Sequence, residues 1–242
     1  MFAALRRRYL DILASVYIFN EHRGYSSLDR VLEAVRRRHP QALAFIAAVE
    51  KHRADERKHY DMFRRYFERL GYMPYAVDKT CAHIDRLIRL TFGCDVDALD
   101  TEAVIASDAL FNRLCRVIVL TERRGMWQVD KLLRMRIITR DRPLYHIFKV
   151  VERDEPSHWM PYDDWLAHHG GGIPTFGERL ADNWVHKSLI LFKLPLLFLN
   201  PWLPRRRFFQ HETDELAPVW ASASDEEYYS SSSPSISSSN RA

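Results

Sequence analysis

The sequence predicts an all-α fold: a four-helix bundle made of two helical hairpins joined by a long crossover, with an apolar C-terminal extension. Three observations predict it. Long stretches place apolar residues at helical spacing. Only eight glycines occur in 242 residues, and β-branched runs are few. Turn signals containing proline then cut the periodic stretches at two matched places. A chain of this length, 47% hydrophobic and 28% charged, can bury one sizeable core.

The first helix is expected from residue 4 to about 37, with no proline or early glycine break. RRRHPQ, around Pro40, reads as a tight turn, and residues 41 to 70 as the second helix, stopped by Gly71. Residues 72 to 100 form the crossover. It contains Pro74, a short amphipathic piece at HIDRLIRL and a polar DVDALDT suited to cap the next helix. Residues 102 to 138 are the third periodic segment, TRDRP (139 to 143) the second turn and residues 143 to 169 the fourth segment. HHGGGIP, 168 to 174, ends the regular part.

The bundle is therefore expected over residues 1–170, and an apolar and basic segment over 171–220. A serine-rich tail over 221–242 has the low-complexity composition of a disordered segment. Within the middle region, WVHKSLILFKLPLLFLNPWLPRRRFF (184 to 209) is the most apolar stretch of the chain. It is too short to span a bilayer and is interrupted by Lys193, Pro195 and Pro201. Its aromatic ends and the Arg205, Arg206, Arg207 cluster suit a segment lying in a membrane interface, which makes a lipid-like substrate an expectation. The competing reading is a helix folded over the bundle.

One motif occurs twice. DERKH at 55 to 59 is matched by DEPSH at 154 to 158, and NEHRG at 20 to 24 by TERRG at 121 to 125, at offsets of 99 and 101 residues. This is the pattern of a duplicated helical hairpin. Glu21 and Glu56 are equidistant from the first turn, and Glu122 and Glu155 from the second. Each lies about 17 residues, or about 26 Å of helix, from its turn. All four glutamates can therefore share one level of the bundle. A Glu and a His three apart project from one helix face, so His59 and His158 join the same level. Four carboxylates and two imidazoles suit two divalent iron or manganese ions, and ions of that charge make four neighbouring carboxylates tolerable in a low-dielectric core.

Through these motifs, residues 5 to 169 resemble the ferritin-like di-iron carboxylate superfamily, which includes ferritins, rubrerythrins, acyl-carrier-protein desaturases and demethoxyubiquinone hydroxylase. The resemblance implies a ferritin-like bundle whose metal ligands and catalytic centre are Glu21, Glu56, His59, Glu122, Glu155 and His158. It also implies that Asp55 and Asp154, each just before a motif glutamate, hydrogen-bond ligand histidines and fix their orientation. The D-E-x-x-H form favours an O2-dependent monooxygenase, hydroxylase or desaturase acting on an apolar substrate. The alternative is a ferroxidase, iron-handling or rubrerythrin-like peroxide-scavenging protein.

Pro156 departs from the pattern. It removes a backbone bond to residue 152, so either the helix kinks at the metal or a new helix starts there, in which case Glu152 replaces Glu155. His52, one turn before Glu56, reads as an extra ligand or as a buried histidine with a local partner. Tyr17, Tyr25, Tyr60, Tyr66, Trp127 and Trp159 lie near the expected site level, as electron relays or as aromatic core. Gly24 and Gly125 follow Glu21 and Glu122 by three residues, leaving room for oxygen or substrate or for close helix packing.

The remaining composition sets partners. The net charge is +4, and no tract alternates arginines with aromatics, which speaks against nucleic acid. Cys81, Cys94 and Cys115 lack C-x-x-C spacing, so no rubredoxin-like or iron–sulfur site is encoded and a reducing, cytoplasmic setting at the membrane periphery is expected. With no glycine-rich dinucleotide fingerprint either, electrons must come from a separate ferredoxin or reductase. A homodimer is compatible with the sequence.

Overall fold

The computed structural model describes residues 2–209. The expected serine-rich tail lies outside the described residues. Among these residues the fold is all-α, the one β-type pairing being an isolated bridge between Tyr75 and Arg205.

The first hairpin is α1 (Phe2–Arg38) and α2 (Leu43–Leu70). Arg36, Arg37 and Arg38 occupy the last turn of α1, where cations complement the helix dipole. Gly71 ends α2 in the left-handed region at φ 73°, with its N–H donating to the Glu68 carbonyl. The crossover carries α3 (His83–Phe92) and α4 (Thr101–Ala106). The expected third segment is broken at Ser107, whose hydroxyl accepts from Leu110 N–H and so caps α5 (Asp108–Leu133). A short α6 (Arg136–Thr139) follows. Asp141 caps α7 (Arg142–Asp154), and α8 (Pro156–His168) continues it with Pro156 in its first turn. Thr175 and Glu178 form a capping box that starts α9 (Phe176–Ser188). A π turn, Leu189–Lys193, leads into α10 (Leu194–Leu199).

α1 packs along α2, α5 packs along both α7 and α8, and α2 closes the assembly against α7 and α8. Two of the three apolar clusters among the described residues enclose the motif residues, and the third, smaller one gathers Val16, Phe19, Val77, Cys81 and Leu189. Of the enclosing pair, one gathers Leu28, Val35, Val49, Ile118 and Tyr162, and the other Ile18, Phe63, Val129, Phe148 and Val151. Along every long element the residues between these clusters are the polar motif residues: Glu21 lies between Ile18 and Leu28, and Glu155 and His158 between Val151 and Tyr162. A buried polar layer is thus enclosed above and below by hydrocarbon.

The segment expected at 171–220 divides in two. α9 packs on α3 and α5, where Asp182 accepts from Arg124 and lies 2.9 Å from His83 Nε2. Beyond α10 the chain is strapped to the crossover. Ala76 N–H donates to Pro204 and Arg206 N–H to Pro74, both at 2.8 Å. Arg205 pairs with Asp11 at 2.8 Å and lies over the rings of Tyr72 and Tyr75. Arg205 and Arg206 therefore hold the chain in place, and only Arg207 of that cluster is exposed.

Candidate metal centre

Helix register brings the six expected ligands to one level. Glu21 comes from α1, Glu56 and His59 from α2, Glu122 from α5, Glu155 from the α7–α8 junction and His158 from α8. Glu21, Glu56 and His59 place one donor atom each within 4.8 Å of one another, and so do His52, Glu56, Glu122 and His158. Glu56 belongs to both groups. Glu155 lines the same cavity as Glu21, Glu56 and Glu122.

The Pro156 question is resolved by backbone geometry. A new helix does start at Pro156, but Glu155, at the turn between α7 and α8, keeps helical angles (φ −47°, ψ −41°) and its N–H bonds Val151 at 3.0 Å, so the break does not displace it. The register tightens on the far side, where His158 N–H donates to the Glu155 carbonyl at 2.9 Å. Glu155 is 5% exposed. Glu152 instead pairs with Lys149 at the surface.

The two motif aspartates cross over. Asp55 on α2 lies 3.4 Å from His158 Nε2 on α8, and Asp154 on α7 lies 3.1 Å from His59 Nε2 on α2. Each imidazole therefore turns its Nδ1 toward the glutamates. His59 Nδ1 is 3.3 Å from Glu21, and His158 Nδ1 is 3.6 Å from Glu56. Lys58, which the sequence reading passed over, is buried between the aspartates at 2.7 Å from each. Its signal was the motif itself: in DERKH a lysine stands where DEPSH has Ser157, and Lys51 reaches that serine at 3.0 Å while also bonding Asp55.

His52 is fully enclosed. Its ring stacks on His158 at 4.1 Å between centroids, Nδ1 meets the Tyr162 hydroxyl at 3.2 Å, and Nε2 faces Glu56 at 3.5 Å and Glu122 at 4.0 Å. The matching residue in the second half is Val151, so the two halves are unequal here.

Both glycines make room for carboxylates of the adjoining helix. A Cβ on Gly24 would stand 2.5 Å from a Glu56 oxygen, and one on Gly125 would stand 3.1 Å from a Glu155 oxygen. Of the aromatics, Tyr17 lines the cavity, and Tyr60 lies beside the His22 ring. Tyr66 is drawn away to Arg7 and Asp141, Trp127 is 41% exposed beside His186, and Trp159 stacks under Arg123. The side chain of Tyr25 lies outside the described residues.

Electrostatics separate the ring of donors from its supports. Burial, reinforced by the other carboxylates, pushes Glu56 and Glu155 far above the usual carboxylate range and Glu122 up to about 8. Burial also pushes His52 down to about 4 and His158 well below its usual value. His59 goes the other way, up to about 10, because hydrogen bonds to Asp154 and Glu21 outweigh its burial. For Asp55, burial is outweighed by hydrogen bonds from His158, Lys51 and Lys58, which hold it well below the carboxylate range. For Asp154, hydrogen bonds from His59, Arg153 and Lys58 do the same.

Buried polar atoms here without a hydrogen-bond partner include Glu155 Oε2, His158 Nδ1, His52 Nε2 and the Tyr17 hydroxyl. Lone buried groups of this kind cost about 1–3 kcal/mol each unless something else satisfies them. His52 and His158 belong to one candidate cation-binding group with Glu56 and Glu122, and a bound cation is one way to satisfy such atoms. The cavity that Glu155 lines measures about 100 Å³ and is bounded also by Tyr17, Gly24, Ile84, Gly125 and Leu189.

Comparison of the chain with protein-family models, with curated proteins and with solved structures returns no match.

Proposed function

We propose that this chain is a ferritin-like four-helix-bundle protein that holds two iron ions, with manganese as the other fitting metal, and uses O2 to oxidise an apolar, lipid-like substrate. The observation that carries the reading is the crossed pair of aspartate–histidine contacts, Asp55 to His158 and Asp154 to His59, which aims both Nδ1 atoms at one cluster of four glutamates. Carboxylate and imidazole donors in this ratio suit iron or manganese better than soft metals. The unpartnered atoms of Glu155, His158 and His52 are what a cation site requires of the protein before the ion arrives.

Glu21, Glu56 and His59 would hold one ion. Glu122, Glu155 and His158, with His52 alongside, would hold the other, and Glu56 reaches both. When bound, the pair supplies the redox equivalents and open coordination positions that O2 activation needs. The chain's own residues do the rest. Asp55, Asp154 and Lys58 lock the ligand imidazoles in orientation. Gly24 and Gly125 keep the carboxylates close to α1 and α5. The two enclosing apolar clusters exclude water, and Val16, Ile84 and Leu189 give the cavity an apolar wall where a substrate carbon can approach. No cysteine belongs to either candidate metal-binding group among the described residues, so electrons come from a separate ferredoxin or reductase. A cytoplasmic setting agrees with that supply.

The test is anaerobic loading with ferrous iron followed by exposure to O2. The reading predicts a transient visible absorption and O2 consumption that rises when a long-chain apolar substrate is present. Oxidation of free ferrous iron in excess, with no substrate dependence, would favour iron handling instead.

A further inference from the structure

No helix among the described residues is long and apolar enough to cross a membrane. The C-terminal helices nonetheless leave a large apolar surface uncovered. Leu191 and Phe192 of the π turn are 62% and 59% exposed, Leu196 and Leu199 of α10 are 63% and 72% exposed, and Trp202 is 85% exposed. Phe2, at the start of α1, adds another 82% exposed ring on an adjoining helix. Isolated exposed hydrophobics are ordinary, but a contiguous group of this size marks an interaction site.

Charge selects the partner. Between residues 183 and 211 the sequence has Lys187, Lys193, Arg205, Arg206 and Arg207 and no aspartate or glutamate. Lys187 and Arg207 are exposed, and Lys193 is half-buried. Tryptophans flank the stretch, Trp184 on one side and Trp202 on the other. An exposed apolar stripe with basic residues and terminal tryptophans, on helices unable to span a bilayer, is the combination that lies in a lipid headgroup region.

The surface is also built in place. Arg8 of α1 donates to the carbonyls of Leu197, Phe198 and Asn200, closing the C-terminus of α10 against α1. Behind that clamp lies an apolar groove of about 610 Å³, walled by Leu5, Tyr9, Leu13, Ile190, Leu194 and Phe198. Its size is that of a site for a small organic ligand. The groove and the metal cavity share the same two walls, one step apart. Ile12 and Leu13 line the groove where Val16 and Tyr17 line the cavity, and Ile190 lines the groove where Leu189 lines the cavity. One helical turn of α1 and one residue of the π turn separate them.

We propose that α10, the π turn and the start of α1 dock on an anionic bilayer surface, and that the groove between them receives a lipid acyl chain at the doorstep of the metal cavity. Docking stands on the exposed surface alone. That the received chain is the substrate rests on the metal-centre reading above.

The test is flotation of the full-length chain with vesicles of phosphatidylcholine containing about one quarter phosphatidylglycerol, against pure phosphatidylcholine. Binding to the anionic vesicles is expected, weakened by about 0.5 M salt. The double variant Leu196→Glu/Leu199→Glu should lose at least about tenfold in partitioning, because it removes apolar contact and adds repulsion. Arg207→Glu should reduce binding to a smaller extent. All of these residues are at the surface, so helical circular dichroism and metal content should match the wild type, and chelated, metal-free protein should float equally well. Failure of the metal reading would therefore leave this result untouched. Wild-type protein that stays unbound, whether as a monomer, a dimer of this chain or a form with residues 210–242 cross-linked over α10, overturns the proposal. So does equal binding by the double variant or equal binding to pure phosphatidylcholine.

Discussion

Asp55 and His158 stand 103 positions apart in the chain, on α2 and α8, and meet at 3.4 Å in the buried layer. Asp154 and His59 repeat the relation at 3.1 Å in the opposite direction. Each copy of the duplicated motif thus orients the other copy's histidine, and neither half is complete alone.

Replacing Asp55 by Asn tests this interdependence. The histidine of the other half loses a charged acceptor, and Lys58 loses one of its two carboxylates. Metal affinity should fall about 10- to 100-fold. Stability should fall as well, by about 1–3 kcal/mol. Titration with ferrous or manganous ion and denaturant unfolding give the two numbers separately.

Gly24→Ala and Gly125→Ala differ in a way the geometry ranks. At Gly24 a new Cβ would lie 2.5 Å from a Glu56 oxygen, so the carboxylate shared by both donor groups must move. At Gly125 the contact of 3.1 Å asks Glu155 to yield by a few tenths of an ångström. Alanine otherwise favours helix by about 0.5–1 kcal/mol. Gly24→Ala should therefore keep or raise the melting temperature of the metal-free chain while weakening metal binding at least about tenfold. Gly125→Ala should weaken binding less.

Much of this centre was legible from the sequence because turn-symmetric spacing and the Glu-x-x-His repeat are one-dimensional patterns. Glu21, Glu56, His59, Glu122, Glu155 and His158 meet because helices of equal rise bring them level. The crossing of Asp55 and Asp154 between halves was not legible, since sequence spacing ties each aspartate to its own motif. Lys58 was missed for the same reason: on a surface helix it would be solvated, and only the approach of Asp154 from α7 makes it a buried bridge. The break at Ser107 was hidden because the apolar periodicity continues across it. The anchoring role of Arg205 was hidden because its partner, Asp11, lies on the first helix.

Glu152→Gln and Glu155→Gln separate the two candidates around Pro156. Glu152 pairs with Lys149 at the surface, so its substitution should leave metal binding within about twofold. Glu155→Gln should abolish binding at one position, as read by metal titration with circular dichroism confirming the helices. The opposite ranking would mean that the register shifts at Pro156.

The metal-free chain should be sensitive to alkali. Burial raises Glu122 from 4.5 to about 8, with Glu56 and Glu155 raised in the same direction. A raised carboxyl stabilises the fold fully below its unfolded pKa and loses that contribution as pH climbs through the folded value. His59, raised to about 10, has the same sign, whereas the lowered His52 and His158 contribute fully above about pH 6.5. Between about pH 6.5 and about pH 8.5 the melting temperature of the metal-free protein should fall by at least about 3 °C. Metal binding should release protons and tighten over the same range. Calorimetry in buffers of different ionisation enthalpy measures that release.

The most direct test of the account is the metal content of the full-length chain after iron reconstitution and desalting. The account predicts about two ions per chain in the wild type. It predicts almost none in Glu56→Ala, because Glu56 serves both donor groups, and loss of at least one ion in His158→Ala, with helical circular dichroism preserved in both. A wild-type chain that retains no metal, or a Glu56→Ala variant that still carries two ions, would contradict it.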